Sequence, residues 1–154
     1  MKGSIIPLAA VSFVAFFSTA AHAVCAGYNY AYYDGGSTGT YVISDCTPQC
    51  NVVRVDNLGG SNVCTTGNYR CSAPPIRVTD IRVNGLWYAC RNDANKGQCN
   101  GRPGAQAVPT SCCRNDGRRN LKEGRITRDE YEAIERRNAE LDAELVEFQA
   151  KERS

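Results

Sequence analysis

The chain has 154 residues, a formal net charge of +2 at pH 7 and nine cysteines. A charge this small gives no indication of a nucleic-acid partner, and the length suits one domain with an appendage. The single histidine, His22, lies near the N-terminus, so histidine chemistry is excluded from the rest of the chain.

Residues 1–23 have the pattern of a cleavable signal peptide. Lys2 supplies the positive start, residues 5–17 form an apolar run of 13 residues, and Ala21-His22-Ala23 has the small-x-small form of a cleavage site. Thirteen apolar residues are too few to cross a bilayer core of about 30 Å, so we expect no stable membrane anchor. The pattern predicts a secreted, extracellular protein whose mature chain begins at Val24.

Composition predicts a cysteine-rich domain at residues 24–113. All nine cysteines lie in this 90-residue stretch and no glutamate does, whereas every glutamate lies at or after Glu123. Such a cysteine density in a secreted chain is typical of a disulfide scaffold. The candidates for disulfide bonding are Cys25, Cys46, Cys50, Cys64, Cys71, Cys90, Cys99, Cys112 and Cys113.

The spacing of the cysteines leaves their pairing open but constrains it. Cys112 and Cys113 are adjacent, and a bridge between them would bring their α-carbons closer than disulfides usually allow, so we expect different partners. The odd number predicts one thiol that is unpaired or intermolecular. The mature chain has no histidine and no C-x₂-C pair, its nearest cysteine spacings being Cys46-x₃-Cys50 and Cys112-Cys113, so we expect no metal and no cofactor.

The cysteine-rich domain has a mainly β pattern, and its clearest unit is a hairpin over residues 76–91. Its centre is Asn84-Gly85, which suits a two-residue type I′ turn because both residues must adopt positive φ. This register places Arg82 opposite Trp87, where a cation–π contact can form. Trp87 as a core residue is the alternative.

Three earlier runs, 28–33, 40–44 and 51–55, also favour strands. Together with the hairpin they predict a small antiparallel sheet or sandwich. Residues 92–111 are rich in Asn, Gly and Pro, and they predict an ordered loop tied down by Cys99. The fold class that follows is a small mainly-β disulfide-rich domain.

The first of these runs carries three tyrosines on one strand face, Tyr28, Tyr30 and Tyr32. Tyrosine combines a large apolar area with a polar hydroxyl, which suits a surface that contacts proteins or glycans. These tyrosines, with Arg82 and Trp87, are therefore the candidate binding residues. A tyrosine-rich core strand is the alternative interpretation.

Catalytic residues are not evident in the sequence. General acid–base and nucleophilic mechanisms commonly use a histidine, a tuned carboxylate pair or an activated thiol. The only histidine leaves with the signal peptide, and the carboxylates of the domain lie in turn-like or exposed strand positions. We expect no enzymatic activity, and a small hydrolase that uses two aspartates is the least favoured alternative.

Residues 114–126 predict a basic linker between the domain and the C-terminal segment. They hold five Lys or Arg residues against one Asp and one Glu. The default interpretation is a flexible, solvated segment. Arg118-Arg119 also has the form of a dibasic processing site of the secretory pathway.

Residues 127–153 predict one long amphipathic α-helix. Thr127 and Glu130 have the spacing of a capping box, and residues 128–153 contain no Gly or Pro. The apolar positions follow spacings of 3 and 4, as in the seam of a coiled coil, with Asn138 inside it. The seam residues are Tyr131, Ile134, Asn138, Leu141, Leu145 and Phe148.

Two structures fit this seam. It spans fewer than three heptads, so the alternatives are a short coiled-coil homodimer and a lone amphipathic helix that lies on its own domain or is left in solvent. A dimer would also account for the odd cysteine through an intermolecular bridge.

The signal peptide, the Tyr- and Gly-rich core and the spaced cysteines resemble the small secreted cysteine-rich proteins of filamentous fungi. The resemblance covers residues 1–113. That class includes effector-like proteins that act on plant hosts and antimicrobial or killer toxins. The resemblance implies an effector-like binding protein whose partner is a host or cell-wall protein or glycan. A structural, oligomerising protein that uses the coiled coil is the alternative.

Overall fold

A computed structural model describes residues 24–47, 49–92, 97–98 and 108–154. Seven strands form one antiparallel sheet, and two helices follow it along the chain. The strands are β1 (Tyr30–Asp34), β2 (Thr40–Asp45), β3 (Val52–Asn57), β4 (Tyr69–Cys71), β5 (Val78–Val83), β6 (Leu86–Arg91) and β7 (Ser111–Asn115). The helices are α1 (Gly117–Lys122) and α2 (Arg128–Arg153).

The predicted fold class, a mainly-β disulfide-rich domain followed by one long C-terminal helix, is confirmed. The three early strand predictions correspond to β1, β2 and β3. The predicted signal peptide at 1–23, Cys99 and much of the predicted loop at 92–111 lie outside the described residues.

The last strand of the chain lies in the middle of the sheet. The strand order is β3-β2-β1-β7-β6-β5-β4, and β7 pairs with both β1 and β6. This pairing joins the N-terminal strands to the hairpin. The sheet is curled, so that the Tyr69 hydroxyl on one edge strand donates a hydrogen bond to Asp56 on the other.

The hairpin is confirmed in its turn and in its register. Asn84 and Gly85 adopt φ values of 49° and 80°, as a type I′ turn requires. Arg82 lies opposite Trp87 in the ladder between β5 and β6. The Asn84-Gly85 turn was therefore sufficient to predict this hairpin and its register from the sequence.

Both faces of the sheet are covered over much of its area. On the concave face, Tyr32, Tyr41 and Tyr69 are in ring contact within the larger core. On the convex face, residues 24–28 and Leu145 of α2 pack against β1, β2 and β7. The curled sheet thus has one core inside it and a second beneath the helix.

Disulfides connect β7 to both cores. Successive residues of a strand point to opposite faces, so Cys112 bonds to Cys25 on the convex side and Cys113 bonds to Cys90 on the concave side. The prediction of different partners for the adjacent cysteines is confirmed. The other described cysteines are Cys64 and Cys71, which bond to each other, Cys50, which is also disulfide-bonded, and Cys46, which is free.

Residues 114–126, predicted as a flexible linker, are folded against the sheet instead. They include the end of β7 and the helix α1, and Arg118-Arg119 lies inside that helix. Asn120 of α1 is fully buried. Its Oδ1 accepts the backbone N–H of Trp87 at 2.8 Å, and its Nδ2 donates to the Trp87 carbonyl at 3.0 Å. These bonds join residues far apart in sequence, which is why composition alone predicted a linker.

The long helix is confirmed with its N-terminal cap. Thr127 is the N-cap of α2, and its side chain and that of Glu130 form the predicted capping box. The Thr127 N–H donates to Glu130 Oε2 at 2.6 Å, which satisfies one of the free amides at the helix start.

The seam of α2 lies on its own domain. Leu141 is buried, Leu145 packs into the convex core, and Asn138 Nδ2 donates to the Asn115 carbonyl at 3.3 Å. A Cβ built on Gly117 of α1 would lie 3.1 Å from Ile134 and 3.2 Å from Tyr131, so these seam residues touch α1. Within the single chain, these contacts place the helix on its own domain. The last seam residue, Phe148, is half-buried.

Candidate functional site

A cleft of about 320 Å³ lies where α2 crosses the N-terminal turn of the domain. Its walls are residues 25–29, residues 45–47 at the end of β2, and Arg137, Leu141 and Glu144 of α2. The volume is at the lower end of the roughly 300–1,000 Å³ that small-molecule sites occupy. Three separate parts of the chain therefore form one concave surface.

The N-terminal wall is held by a disulfide and by Arg114. The buried Cys25–Cys112 bond joins the turn to β7. Arg114 donates from Nε and Nη2 to the Gly27 carbonyl at 3.0 and 2.5 Å, and its Nη1 lies 2.6 Å from Asp142 Oδ1 in α2. One guanidinium group thus holds both the turn and the helix.

The second wall is a compact turn built around Asp45. Its Oδ1 accepts the Thr47 N–H at 3.2 Å, the Thr47 hydroxyl at 2.6 Å and the Asn51 N–H at 3.0 Å, while Oδ2 accepts Asn51 Nδ2 at 2.9 Å. Burial alone would raise the pKa of Asp45, but these hydrogen bonds hold it below its usual value. Asp45 therefore lines the cleft as a carboxylate whose orientation is fixed.

The third wall is the middle of α2, with an apolar floor and a charged rim. Leu141 is buried at the floor. At the rim, Arg137 Nη1 lies 2.9 Å from Glu140 Oε2 and 3.1 Å from Glu144 Oε1. The hydrogen bond to Glu140, and then that to Glu144, raises the pKa of Arg137. The rim therefore presents a cation beside carboxylates.

One residue of the cleft is a free thiol, Cys46. It packs against the convex core. Burial, and to a smaller extent the charge of Asp45, raises the pKa of this thiol, so it is protonated at neutral pH and a poor nucleophile. The odd cysteine predicted from the sequence is thus half-buried between the convex core and the cleft.

Of the five predicted binding residues, Tyr28 alone lines the cleft. Tyr28 and Tyr32 are buried and Tyr30 is half-buried, so the exposed tyrosine surface predicted from the sequence was wrong. The alternative, a tyrosine-rich core strand, is what the structure has. The cause is that both faces of β1 are covered, one by the curled sheet and the other by the N-terminal turn.

Trp87 lies away from the cleft, beneath α1, and is buried as the core alternative predicted. Its Nε1 donates to Glu123 Oε2 at 3.0 Å. The guanidinium groups over its ring are those of Arg70 and Arg125, at 4.4 and 5.9 Å from the ring centroid, and not that of Arg82. Arg70 and Arg125 also pair with Glu123, at 2.6 and 2.8 Å. This cluster fastens α1 to the hairpin.

Sequence reasoning did not find the polar residues of the cleft, Asp45, Arg137 and Glu144. Asp45 and Thr47 have the spacing of an Asx turn, which could have indicated a fixed turn after β2. Arg137 and Glu144 flank the seam of α2, but only the docked helix shows which domain surface they meet.

Within the described residues, no group of three or more His, Cys, Asp or Glu side chains is arranged as a metal site. Neither described helix has both the length and the apolar character that crossing a membrane requires.

Comparisons with protein-family models, curated proteins and solved structures find no match to this chain. The cleft must therefore be interpreted from its own chemistry.

Proposed function

We propose that the protein is a secreted, effector-like binding protein that recognises an extracellular host or cell-wall protein or glycan through this cleft. The observation that carries the proposal is a preformed concave site with an apolar floor and a polar rim, fixed by the buried Cys25–Cys112 disulfide. The disulfides of the described residues support secretion, because such bonds persist in oxidising compartments.

The cleft offers both donors and acceptors around its floor. Arg137 donates hydrogen bonds, Glu144 accepts them, and Tyr28 and Leu141 supply apolar area. The end of a glycan or a short polar peptide presents a matching mixture of polar groups and apolar surface. Because the walls are fixed before binding, little of the interaction energy would be lost in ordering them.

The chemistry of the cleft supports binding rather than catalysis. Asp45 uses both carboxylate oxygens within its own turn, and Glu144 is paired with Arg137. The protonated Cys46 thiol is not activated as a nucleophile. None of these groups has the arrangement of a general base or an activated nucleophile.

Two tryptophan variants on one helix test the proposal. Glu144 and Glu147 are both exposed and both ion-paired, but only Glu144 lines the cleft. Targets are first identified with a glycan array and with pull-down from host and cell-wall extracts. We expect Glu144→Trp to fill the cleft and weaken binding at least roughly tenfold, while Glu147→Trp binds as the wild type does.

The outcomes separate the alternatives. Equal binding by both variants would show that the target contacts another surface. Turnover of a glycan by the wild-type protein would support a hydrolase, and loss of that turnover in an Asp45→Asn variant would place the reaction in the cleft.

A further inference from the structure

Strand β3 is an edge strand with an apolar outer face. Among the described residues it pairs with β2 alone. Val52, Val53 and Val55 are 52, 42 and 55% exposed, and they are half of the large apolar residues exposed in the described part of the chain. Edge strands are commonly protected by proline, by charged residues or by a β-bulge. The outer face of β3 has no proline and no charge, and the irregularity of its ladder with β2 lies at Val53, before Val55.

The charged residues of β3 lie on the opposite, concave face. Arg54 Nε pairs with Asp56 Oδ2 at 2.9 Å, and the Tyr69 hydroxyl donates to Asp56. The guanidinium group of Arg54 lies 5.2 Å from the centroid of the Tyr69 ring. Because these charges are neutralised within the chain, pairing at the edge would not leave a buried charge without a partner.

The hydrogen bonds of the β2–β3 ladder show which backbone groups face outward. The N–H of Leu58, the residue after β3, donates to the Gly39 carbonyl at 2.9 Å. In an antiparallel ladder every second residue bonds to the partner strand. Asp56 and Arg54 therefore bond to β2, and Val55 between them directs its N–H and C=O to the open side.

We infer that β3 is a self-association edge, through which two copies of this chain pair antiparallel about a two-fold axis centred on Val55. A two-fold interface is self-complementary, so residue i opposes j and residue j opposes i. With the axis at Val55, the two copies of Val55 lie opposite each other. Each Arg54 then lies opposite an Asp56 of the second copy. Unlike charges therefore meet on both sides of the central valine pair.

Neighbouring registers lack this complementarity. A two-fold axis centred on Arg54 would place two arginines opposite each other, and one centred on Asp56 would oppose two carboxylates. An axis between residues would bring a concave-face residue opposite a convex-face residue, which antiparallel pairing does not allow. Of the registers centred on Arg54, Val55 and Asp56, only the one centred on Val55 therefore brings unlike charges opposite each other. This surface is separate from the cleft, so the inference is independent of the proposed function.

The first test measures the oligomeric state of the purified protein by analytical ultracentrifugation. We expect the wild type to form a non-covalent dimer and Val55→Lys to be a monomer with an unchanged circular dichroism spectrum. Ile76→Lys is the matched control, since Ile76 is 60% exposed but lies outside β3, and it should remain a dimer. A monomeric wild type over the accessible concentration range, or a dimer that persists in Val55→Lys, would overturn the inference.

The second test measures the register by oxidative cross-linking. Residues in a hydrogen-bonded antiparallel pair have α-carbons about 5.5 Å apart, within the range of disulfides. With oxidised glutathione as the oxidant, Val55→Cys should form a covalent dimer, whereas Asn57→Cys should not, because residue 57 faces residue 53 of the second copy. Equal cross-linking of the two variants, or none in Val55→Cys, would contradict the register.

Discussion

Gly27 and Leu145 lie so close together that no side chain fits between them. A Cβ built on Gly27 would lie 2.6 Å from the Cβ of Leu145 and 2.9 Å from the carbonyl oxygen of Leu141. Gly27 also adopts a φ of +80°, which L side chains rarely adopt. This contact lets α2 rest directly on the backbone of the N-terminal turn, and Gly27 and Leu141 both line the cleft.

Gly27→Ala should therefore loosen α2 from the domain. The matched control is Gly36→Ala, because Gly36 also has a positive φ, +59°, but a Cβ there would meet nothing within 4 Å. We expect Gly36→Ala to cost about 1–2 kcal/mol from backbone strain, and Gly27→Ala to cost roughly 1–3 kcal/mol more from the collision. Chemical denaturation measures both losses, and equal losses would show that the contact with Leu145 is unimportant.

Asn120→Ala should destabilise the docking of α1. Asn120 is fully buried, and its amide bonds to both backbone groups of Trp87 and to Asn115 Oδ1. Its loss leaves the buried N–H of Trp87 without an acceptor, so we expect a loss of roughly 2–3 kcal/mol in the free energy of unfolding. Arg118→Ala on the exposed side of α1 should change it by less than about 0.5 kcal/mol. Similar values for the two variants would mean that α1 contributes little to stability.

The pairing of Glu123 predicts a pH-dependent contact with Trp87. Hydrogen bonds from Arg125, and then from Arg70 and Trp87, lower the pKa of Glu123 from its ordinary 4.5 to about 2. A folded-state pKa below the unfolded value gives a contribution that is present above pH 4.5 and is lost as the pH falls towards 2. Because Trp87 is the single tryptophan, its fluorescence should change reversibly near pH 2, where the carboxylate of Glu123 takes up its proton in the folded protein.

Glu123→Gln should remove that fluorescence transition, because glutamine does not titrate. Glu132→Gln, a change at an exposed residue of α2, should retain it. Circular dichroism recorded on the same samples separates this local change from global acid unfolding. A transition that survives unchanged in Glu123→Gln would assign it to other carboxylates.

Local signals in the sequence were sufficient for the hairpin and for the start of α2. Asn84-Gly85 and the pair Thr127 and Glu130 act through bonds within a few residues, so their patterns predict structure directly. The segment 114–126 could not be predicted in this way, because its folding depends on bonds such as those from Asn120 to Trp87 across the chain.

Spacing also cannot identify what covers an apolar surface. The seam around Leu141 has the same pattern whether a second helix or the domain itself packs against it. The tyrosines of β1 are a second example. The alternation of residues along a strand shows which side chains share a face, but it does not show that the face of Tyr32 lies inside a curled sheet. The cleft depends on the docked helix, and so it could not be derived from the sequence.

Cys46 should behave as a protected thiol rather than as a site of covalent dimerisation. Because burial raises its pKa and it packs against the convex core, we expect Ellman's reagent to react slowly with the native protein. In denaturant without reductant, one thiol per chain should react rapidly, and Cys46→Ser should show none. Non-reducing electrophoresis should give a monomer band for both proteins. A covalent dimer that disappears in Cys46→Ser, or rapid labelling of the native protein, would instead place this thiol at an accessible surface.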